Sequence, residues 1–460
     1  MKRIISVAPW RSVLHLKSHQ KPLNKQQTEL GEVMMENQPE EKNPMLSVLS
    51  IRDFRLLFAG VSTSLLGDQF ALIATPWLVL QLTGDPLALG LVLALEGIPR
   101  ALFMLFGGAI TDRFSPRIIM LASDIVRFLL AGLMAVVVFT GVVQMWMLYA
   151  FSLGFGLVAG FAVPAGNSIV PMLVKEKDLQ AGNSIIMGVG QLVGFVGPVV
   201  AGILIGKFSE SFLGIGLAFG IDAVTFAISA VALWLMGSGG KLPSSTDASD
   251  KESIWTAIVT GLKYVWDDKA LRLIFLVIAA VNFLFVGPVL VGVPVLADQR
   301  LAEGAVAFGL LMSGFAVGNL GGFLLAGALP RPTGRTMRLF LIALLAVFGI
   351  AMGIVGFINL TWVDFGLMLL LGLGNGYVTI ILFTWIQTRT PKTMLGRIMS
   401  LLMLSSAGLV PVSQAISGAV GAWNLTLLFI SAGGLIVLVT SWTAFQPSLV
   451  TFSESLSTKN

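Results

Sequence analysis

Twelve apolar runs, each about 20 residues or longer, leave this chain few ways to fold. They fall near 54–82, 87–110, 118–140, 146–170, 183–206, 213–236, 271–297, 305–329, 337–358, 363–386, 397–420 and 425–445. A helix of that length covers the hydrocarbon core of a bilayer, about 30 Å thick. Only 12% of the 460 residues are charged, against about 25% in soluble domains. Too little polar surface remains for a water-soluble protein of this size. The expected fold class is therefore an all-α membrane protein with twelve transmembrane helices.

The remaining composition narrows the chemistry. The 51 glycines suit close approach of membrane helices. Cysteine is absent, and the only histidines, His15 and His19, precede the first run. Thiol chemistry, an intramembrane histidine relay and a histidine zinc site are thereby excluded, and no metal or cofactor is expected. A formal charge of +5 raises the question of nucleic acid. The placement of the basic residues points instead to membrane orientation. With the N-terminus inside, the inner loops carry Arg113, Arg117, Lys175, Lys177, the basic residues of 241–269, Arg331, Arg335, Arg389 and Lys392. The opposite loops hold only Lys207 and Arg300. This asymmetry predicts a multi-pass protein of the cell membrane (plasma or bacterial inner), with both termini cytoplasmic.

Residues 1–50 read as a polar, basic, poorly ordered cytoplasmic tail. There is no acid before Glu29, and no continuous apolar stretch of the kind a secretory signal needs. A transit peptide, or an extension upstream of Met34, Met35 or Met45, is the alternative. A Gly/Ser/Pro-rich linker begins at 237. Ile254, Ile258, Leu262 and Val265 then recur at helical spacing beside Lys263, Asp267 and Asp268, which predicts an amphipathic helix on the cytoplasmic surface. Linker and helix, 237–269, divide a six-helix bundle at 51–236 from a second at 270–445, and 446–460 forms a short tail. The halves resemble one another. Gly90 and Gly108 recur as Gly309 and Gly327, 219 positions on, and Pro171 recurs as Pro391 at nearly the same offset. Trp146 and Trp362 open the fourth and tenth runs. An internal repeat of six helices accounts for this set.

A charged hinge, Gly108-Ala109-Ile110-Thr111-Asp112-Arg113-Phe114-Ser115-Pro116-Arg117, separates the second and third runs, and 327–335 is its second copy. The hinge resembles the signature turn of the major facilitator superfamily, Gly-x-x-x-Asp-Arg/Lys-x-Gly-Arg-Arg/Lys. Gly108, Asp112, Arg113 and Arg117 match it, while Ser115 and Pro116 depart from it. The second copy keeps Gly327, Gly334 and Arg335 but has Arg331 in place of the acid. Leu66-Gly67-Asp68-Gln69, Pro76–Gly84, Val163-Pro164-Ala165, Ile221-Asp222-Ala223 and Gly197-Pro198-Val199-Val200-Ala201-Gly202 resemble the drug/proton antiporter branch that includes macrolide-efflux and enterobactin-exporter proteins. The resemblance implies two pseudo-symmetric six-helix halves that rock about a central site. It also implies a cytoplasmic gate at Gly108, Asp112, Arg113 and Arg117.

Charge inside the apolar runs is the most informative signal for function. An ionisable residue at a helix centre costs about 2.5–3.5 kcal/mol, so it faces a partner or a water-filled cavity. Asp68 lies near the midpoint of the first run, with Ser64 and Thr75 on its face and Gln69 beside it. Desolvation penalises the charged form of a carboxyl group at that depth, which suits it to taking up and releasing a proton. The alternative is a neutral, hydrogen-bonded structural acid. Glu96 and Arg100 stand one turn apart in the second run, either as a neutralising ion pair or as a proton-sensitive pair on a cavity. Asp222 shares a face with Thr225 and Ser229, as a second acid of the pathway or an interhelical anchor. Asp124 and Arg127 lie towards the cytoplasmic end of the third run and extend the gate. The second half offers Asn282, Asn319 and Asn375 as cavity residues and no central acid or base.

Enzyme motifs fail. Gly202 to Gly206-Lys207-Phe208 is one residue short of a phosphate-binding loop and lacks its Ser or Thr. Gly154-Phe155-Gly156 and Gly188-Val189-Gly190 lie within apolar runs, as helix-packing glycines. The expectation is a secondary transporter, not an enzyme, exporting an amphipathic or hydrophobic drug-like compound by proton antiport. Its partners would be a small-molecule substrate, protons and the bilayer, in a monomer. A siderophore, sugar or lysophospholipid as cargo, uniport, and a non-transporting receptor or scaffold remain open.

Overall fold

The computed structural model describes residues 43–111, 114–208, 211–237, 254–329, 334–391 and 394–450. Twelve helices among them are long and apolar enough to cross a membrane. They are spans 1 to 6 at Arg52–Thr83, Pro86–Met104, Pro116–Phe139, Met145–Leu173, Glu176–Lys207 and Leu213–Leu235, and spans 7 to 12 at Lys269–Arg300, Ala305–Ala328, Gly334–Val355, Thr361–Arg389, Leu395–Trp423 and Leu425–Ala444. The helix of span 2 itself continues to Thr111. Each matches one apolar run of the sequence.

Local chemistry explains where the spans stop and bend. Span 1 ends because Gly84 takes φ 62°, a left-handed cap that returns its N–H to the Leu80 carbonyl. Span 7 is not the uniform helix its apolar run predicts. Pro288 lacks an amide hydrogen, and Pro288–Gly292 widens into a π turn before the helix resumes at Val293. Span 11 is likewise broken between Ala407 and Val410, just ahead of Pro411.

The internal repeat of the sequence is visible in the packing. Span 1 packs on spans 5 and 6, span 2 on span 4, and span 3 on span 6. Six helices later, span 7 packs on spans 11 and 12, span 8 on span 10, and span 9 on span 12. Two extensive contacts join the halves among the described residues, span 2 with span 11 and span 5 with span 8, with smaller ones from span 1 to spans 7 and 8 and from span 2 to span 7. Both extensive contacts concentrate at the end of the bundle holding the turns at 84, 141 and 304. A Cβ on Gly90 would lie 2.9 Å from the Cα of Gly418, and one on Gly202 would lie 3.1 Å from that of Gly309. Only glycine permits such backbone proximity. Ser313 Oγ also donates to the Phe195 carbonyl at 2.7 Å, and Gln81 Nε2 to Asp298 Oδ1 at 3.2 Å. Towards the other end, Gly188 and Gly194 of span 5, Gly321 of span 8 and Gly396 of span 11 have nothing within 4 Å of a built Cβ. The halves therefore meet at one end and part at the end that bears the linker.

Exposed aromatics mark both ends of the spans. Trp146, Trp362 and Trp423 ring the sealed end, and Trp234, Trp442 and Phe445 the linker end. Such belts sit at the two membrane–water interfaces. Residues 1–42 lie outside the described residues, but the stretch read as tail does not run to residue 50. Pro44–Ser50 is a helix, started by the Asn43 side chain accepting from the Met45 amide and by proline in the first turn. It buries Val48 against Phe54, Leu57, Ile169 and Leu233. The expected amphipathic helix is present at Ile254–Asp267.

Candidate functional site

A cavity of about 560 Å³ opens within the first six spans. The face of span 1 predicted from helical spacing supplies Ser64, Asp68, Gln69 and Thr75 to its wall. Span 2 adds Glu96 and Arg100, span 3 adds Asp124 and Arg127, and spans 4 and 6 add Phe155, Asn167 and Ser229. Glycines of span 4 seat the charged turn of span 2. A Cβ on Gly156 would lie 2.0 Å from the Glu96 carbonyl, and one on Gly160 would lie 3.2 Å from that of Arg100.

The charges on this wall are unequally satisfied. Arg100 Nη2 and Glu96 Oε1 form an ion pair at 2.6 Å. Asp124 Oδ2 accepts from Ser229 Oγ at 2.6 Å. The Arg127 guanidinium lies between the rings of Phe155 and Phe226, 5.4 and 5.3 Å from their centroids. Such stacking stabilises a cation without a carboxylate, and Arg127 Nε has no hydrogen-bond partner among the described residues. Asp124 and Arg127, expected in the gate, thus line the cavity beside Asp68. The Asp68 carboxyl makes no hydrogen bond or ion pair among the described residues. It faces the cavity with Arg100, Arg127 and Glu96 as its electrostatic neighbours.

Asp222 is fully buried on span 6, and neither carboxyl oxygen has a partner among the described residues. Thr225 does not serve it, since its hydroxyl donates to the Asp222 backbone carbonyl at 2.7 Å. The hydrogen-bonded anchor anticipated from the sequence is therefore absent among the described residues. Asp222 lies behind span 1, where a Cβ on Gly67 would approach Asp222 Oδ1 to 2.6 Å. Asp68 and Asp222 thus belong to one crossing of spans 1 and 6, Asp68 on the cavity and Asp222 away from it.

The other expected residues go elsewhere. Asp112 and Arg113 lie outside the described residues, and Gly108 falls in the last turns of the span 2 helix. Arg117 closes the C-terminus of span 6. Its Nε donates to the Leu233 carbonyl at 2.7 Å, Nη2 to that of Trp234 at 2.8 Å and Nη1 to that of Gly237 at 3.0 Å. The Leu233 and Trp234 carbonyls lie in the last turn, lack helical partners and carry the negative end of the helix dipole, and Gly237 follows just beyond it. The three asparagines belong to the second half and are not part of this cavity's wall, and their amides bond locally. Asn282 donates to the Ile278 carbonyl of its own helix at 2.9 Å, and Asn375 Nδ2 donates to Asn319 Oδ1 at 3.1 Å, joining spans 10 and 8. The sequence reading also missed Asp364, a fully buried acid in the first turn of span 10, whose oxygens are unpaired among the described residues.

Two pseudo-equivalent helical bundles, sealed at one end around an ionisable cavity, define a membrane transporter rather than an enzyme. The chain belongs to the Major Facilitator Superfamily, whose family model matches residues 57–410. Among its relatives is the multidrug efflux pump Tap of Mycolicibacterium fortuitum, 24% identical over 89% of this chain and 97% of that protein. Another is the enterobactin exporter EntS of Shigella flexneri, 23% identical over 84% of this chain and 89% of its own. The solved nucleoside transporter NupG shares the fold at a TM-score of 0.67 and 11% identity, covering 88% of this chain and 100% of its own. A bacterial homologue of the lysosomal transporter Spinster, inward-facing and occupied, matches at 0.57 and 15% identity, over 90% of this chain and 95% of its own.

Proposed function

We propose that this protein exports an amphipathic or hydrophobic small molecule in exchange for protons, by rocking residues 51–236 against 270–445. The carrying observation is the Asp68 carboxyl, unpartnered on the cavity wall among Glu96, Arg100 and Arg127. An acid that no other side chain satisfies is available both to a proton and to a substrate. Competition between the two for one group couples their movements. Asp222, behind the same crossing, is the second acid of the pathway. The excess of Lys and Arg in the loops of the open end supports a cytoplasmic placement of that end. The described conformation is then inward-facing, in the cell membrane, with a monomer as the working unit. The efflux and exporter relatives support an outward direction of transport.

The test is proton-gradient-driven uptake of substrate into inverted vesicles, the equivalent of export from the cell. Asp68→Asn should abolish it while melting behaviour in detergent is unchanged; undiminished coupled transport would remove Asp68 from the mechanism. Substrate-induced proton release from the purified protein separates antiport from uniport, because a uniporter need release none. A siderophore-like anionic cargo is a second reading, favoured by Arg100, whose side chain is 44% exposed beside the cavity. Proton release on adding lipophilic cations, but not catecholates, would sink it.

A further inference from the structure

In the linker helix Ile254–Asp267 the side chains from 259 onward are unequally buried. The helix packs on spans 7 and 11, where a Cβ on Gly261 would lie 3.1 Å from Leu401 and Val265 is buried. On the opposite side Val259, Leu262 and Trp266 form a stripe at 48, 50 and 55% exposure. Their spacing, three and then four residues, places them on one helical face. Water is a poor solvent for such a stripe, and its charge and position indicate what covers it.

Lys263 projects from the same exposed side, and Lys269 is exposed at the start of span 7. Arg272 stacks over the Trp266 ring at 5.6 Å and donates from Nη1 to the Trp266 carbonyl at 3.0 Å. One acid in this patch, Asp267, is exposed. The other, Asp268, is occupied: it caps span 7 through the Ala270 and Leu271 amides and is bound by Arg389 at 2.8 Å. Among the described residues of this edge, three cations therefore stand against one free anion. Trp266 lies three residues before span 7 begins on the linker side, where Trp234 and Trp442 lie within two residues of the ends of spans 6 and 12. That is the depth where tryptophan meets the lipid headgroups.

We propose that this face is a docking site for anionic phospholipid in the leaflet on the linker side. Val259, Leu262 and Trp266 enter the upper acyl region, and Lys263, Lys269 and Arg272 receive the headgroup phosphates. Apolar burial and headgroup charge act together in such interfacial helices. Because the helix rests on spans 7 and 11, it also ties the second half to the bilayer surface.

The chain has no cysteine, so Leu262→Cys supplies a single spin-label site in the full-length protein. The label is read in nanodiscs of phosphatidylcholine alone or mixed with phosphatidylglycerol. In the mixed bilayer it should be accessible to oxygen and shielded from a water-soluble nickel relaxant. Lys263→Gln, Lys269→Gln and Arg272→Gln should each weaken retention of phosphatidylglycerol by about fivefold, since each removes one surface charge. These positions are exposed or half-buried, and unchanged melting confirms the fold. If one variant fails to fold, Lys263→Gln alone decides. A label open to nickel in both bilayers overturns the proposal. So does retention that is equal for both lipids, or dipolar coupling between labels on two copies of the chain.

Discussion

Gly309→Ala should shift the balance between the two ends of the molecule, and its size follows from one contact. A Cβ on Gly309 would lie 2.3 Å from the Pro198 carbonyl oxygen and 3.2 Å from the Cα of Gly202. Both neighbours are backbone, so no rotamer change relieves the clash. Ordinary contact begins near 3.4 Å, so spans 5 and 8 must part by about 1 Å, a gap that forfeits a quarter to a half of the dispersion attraction along the seam. Overpacking of this kind costs about 1–3 kcal/mol. If rocking separates the sealed end, the cost falls on that state alone and the ratio of states moves by about 5- to 150-fold. A population of nine to one would then drop to about two to one or invert. Gly321, on the same span, has nothing within 4 Å and belongs to the open end. Gly321→Ala should be neutral or act in the opposite sense, because only the other state can crowd it.

The natural absence of cysteine makes the measurement direct. Val142→Cys with Phe357→Cys reports the sealed end, and Phe114→Cys with Leu329→Cys the open end; all four side chains are exposed. Electron–electron distance distributions should lengthen for the first pair and shorten for the second in Gly309→Ala. Unchanged distributions would show that the glycine seam is static. Lengthening of both pairs would show general loosening, and either result refutes the reasoning.

Two further substitutions test how charge and amide groups hold the spans together. Arg117→Ala should cost about 1.5–3 kcal/mol, the worth of a charged hydrogen bond, because three carbonyls at the end of span 6 lose their donor. Arg117→Lys should recover only part of it, having no planar fork, and an unchanged melting temperature for the alanine variant would refute the capping role. Asn375→Leu strands Asn319 Oδ1 between spans 8 and 10. A cycle with Asn319→Leu should give a coupling of about 0.6–1.7 kcal/mol, whereas additive losses would mean that the pair contributes no direct bond.

The spans and the Asp68 face were legible because both follow from local periodicity. Apolar length fixes a membrane helix, and 3.6 residues per turn fixes which polar groups share a wall. What could not be read depends on which helices cross. Asp222 looks like a helix-joining acid until Gly67 is seen to bring it behind span 1, with Thr225 turned to the backbone. That Asn319 and Asn375 bond to one another follows only from the packing of span 8 on span 10. Arg117 reads as part of a charged hinge, yet its partners are carbonyls more than a hundred residues away. Conformation is a further step removed. Gly188 and Gly202 lie on one span in similar apolar surroundings, yet the first is open and the second touches the other half. Nothing local distinguishes them, because both are small for the same reason. If the halves rock, each end must close in its turn, and a residue suited to contact is needed at both. Gly188, Gly194, Gly321 and Gly396 at the linker end are then placed to form the seam of the opposite state, whereas Gly220, Gly353 and Gly366 are equally uncrowded near the sealed end, so it is position along the span together with empty space that marks a seam.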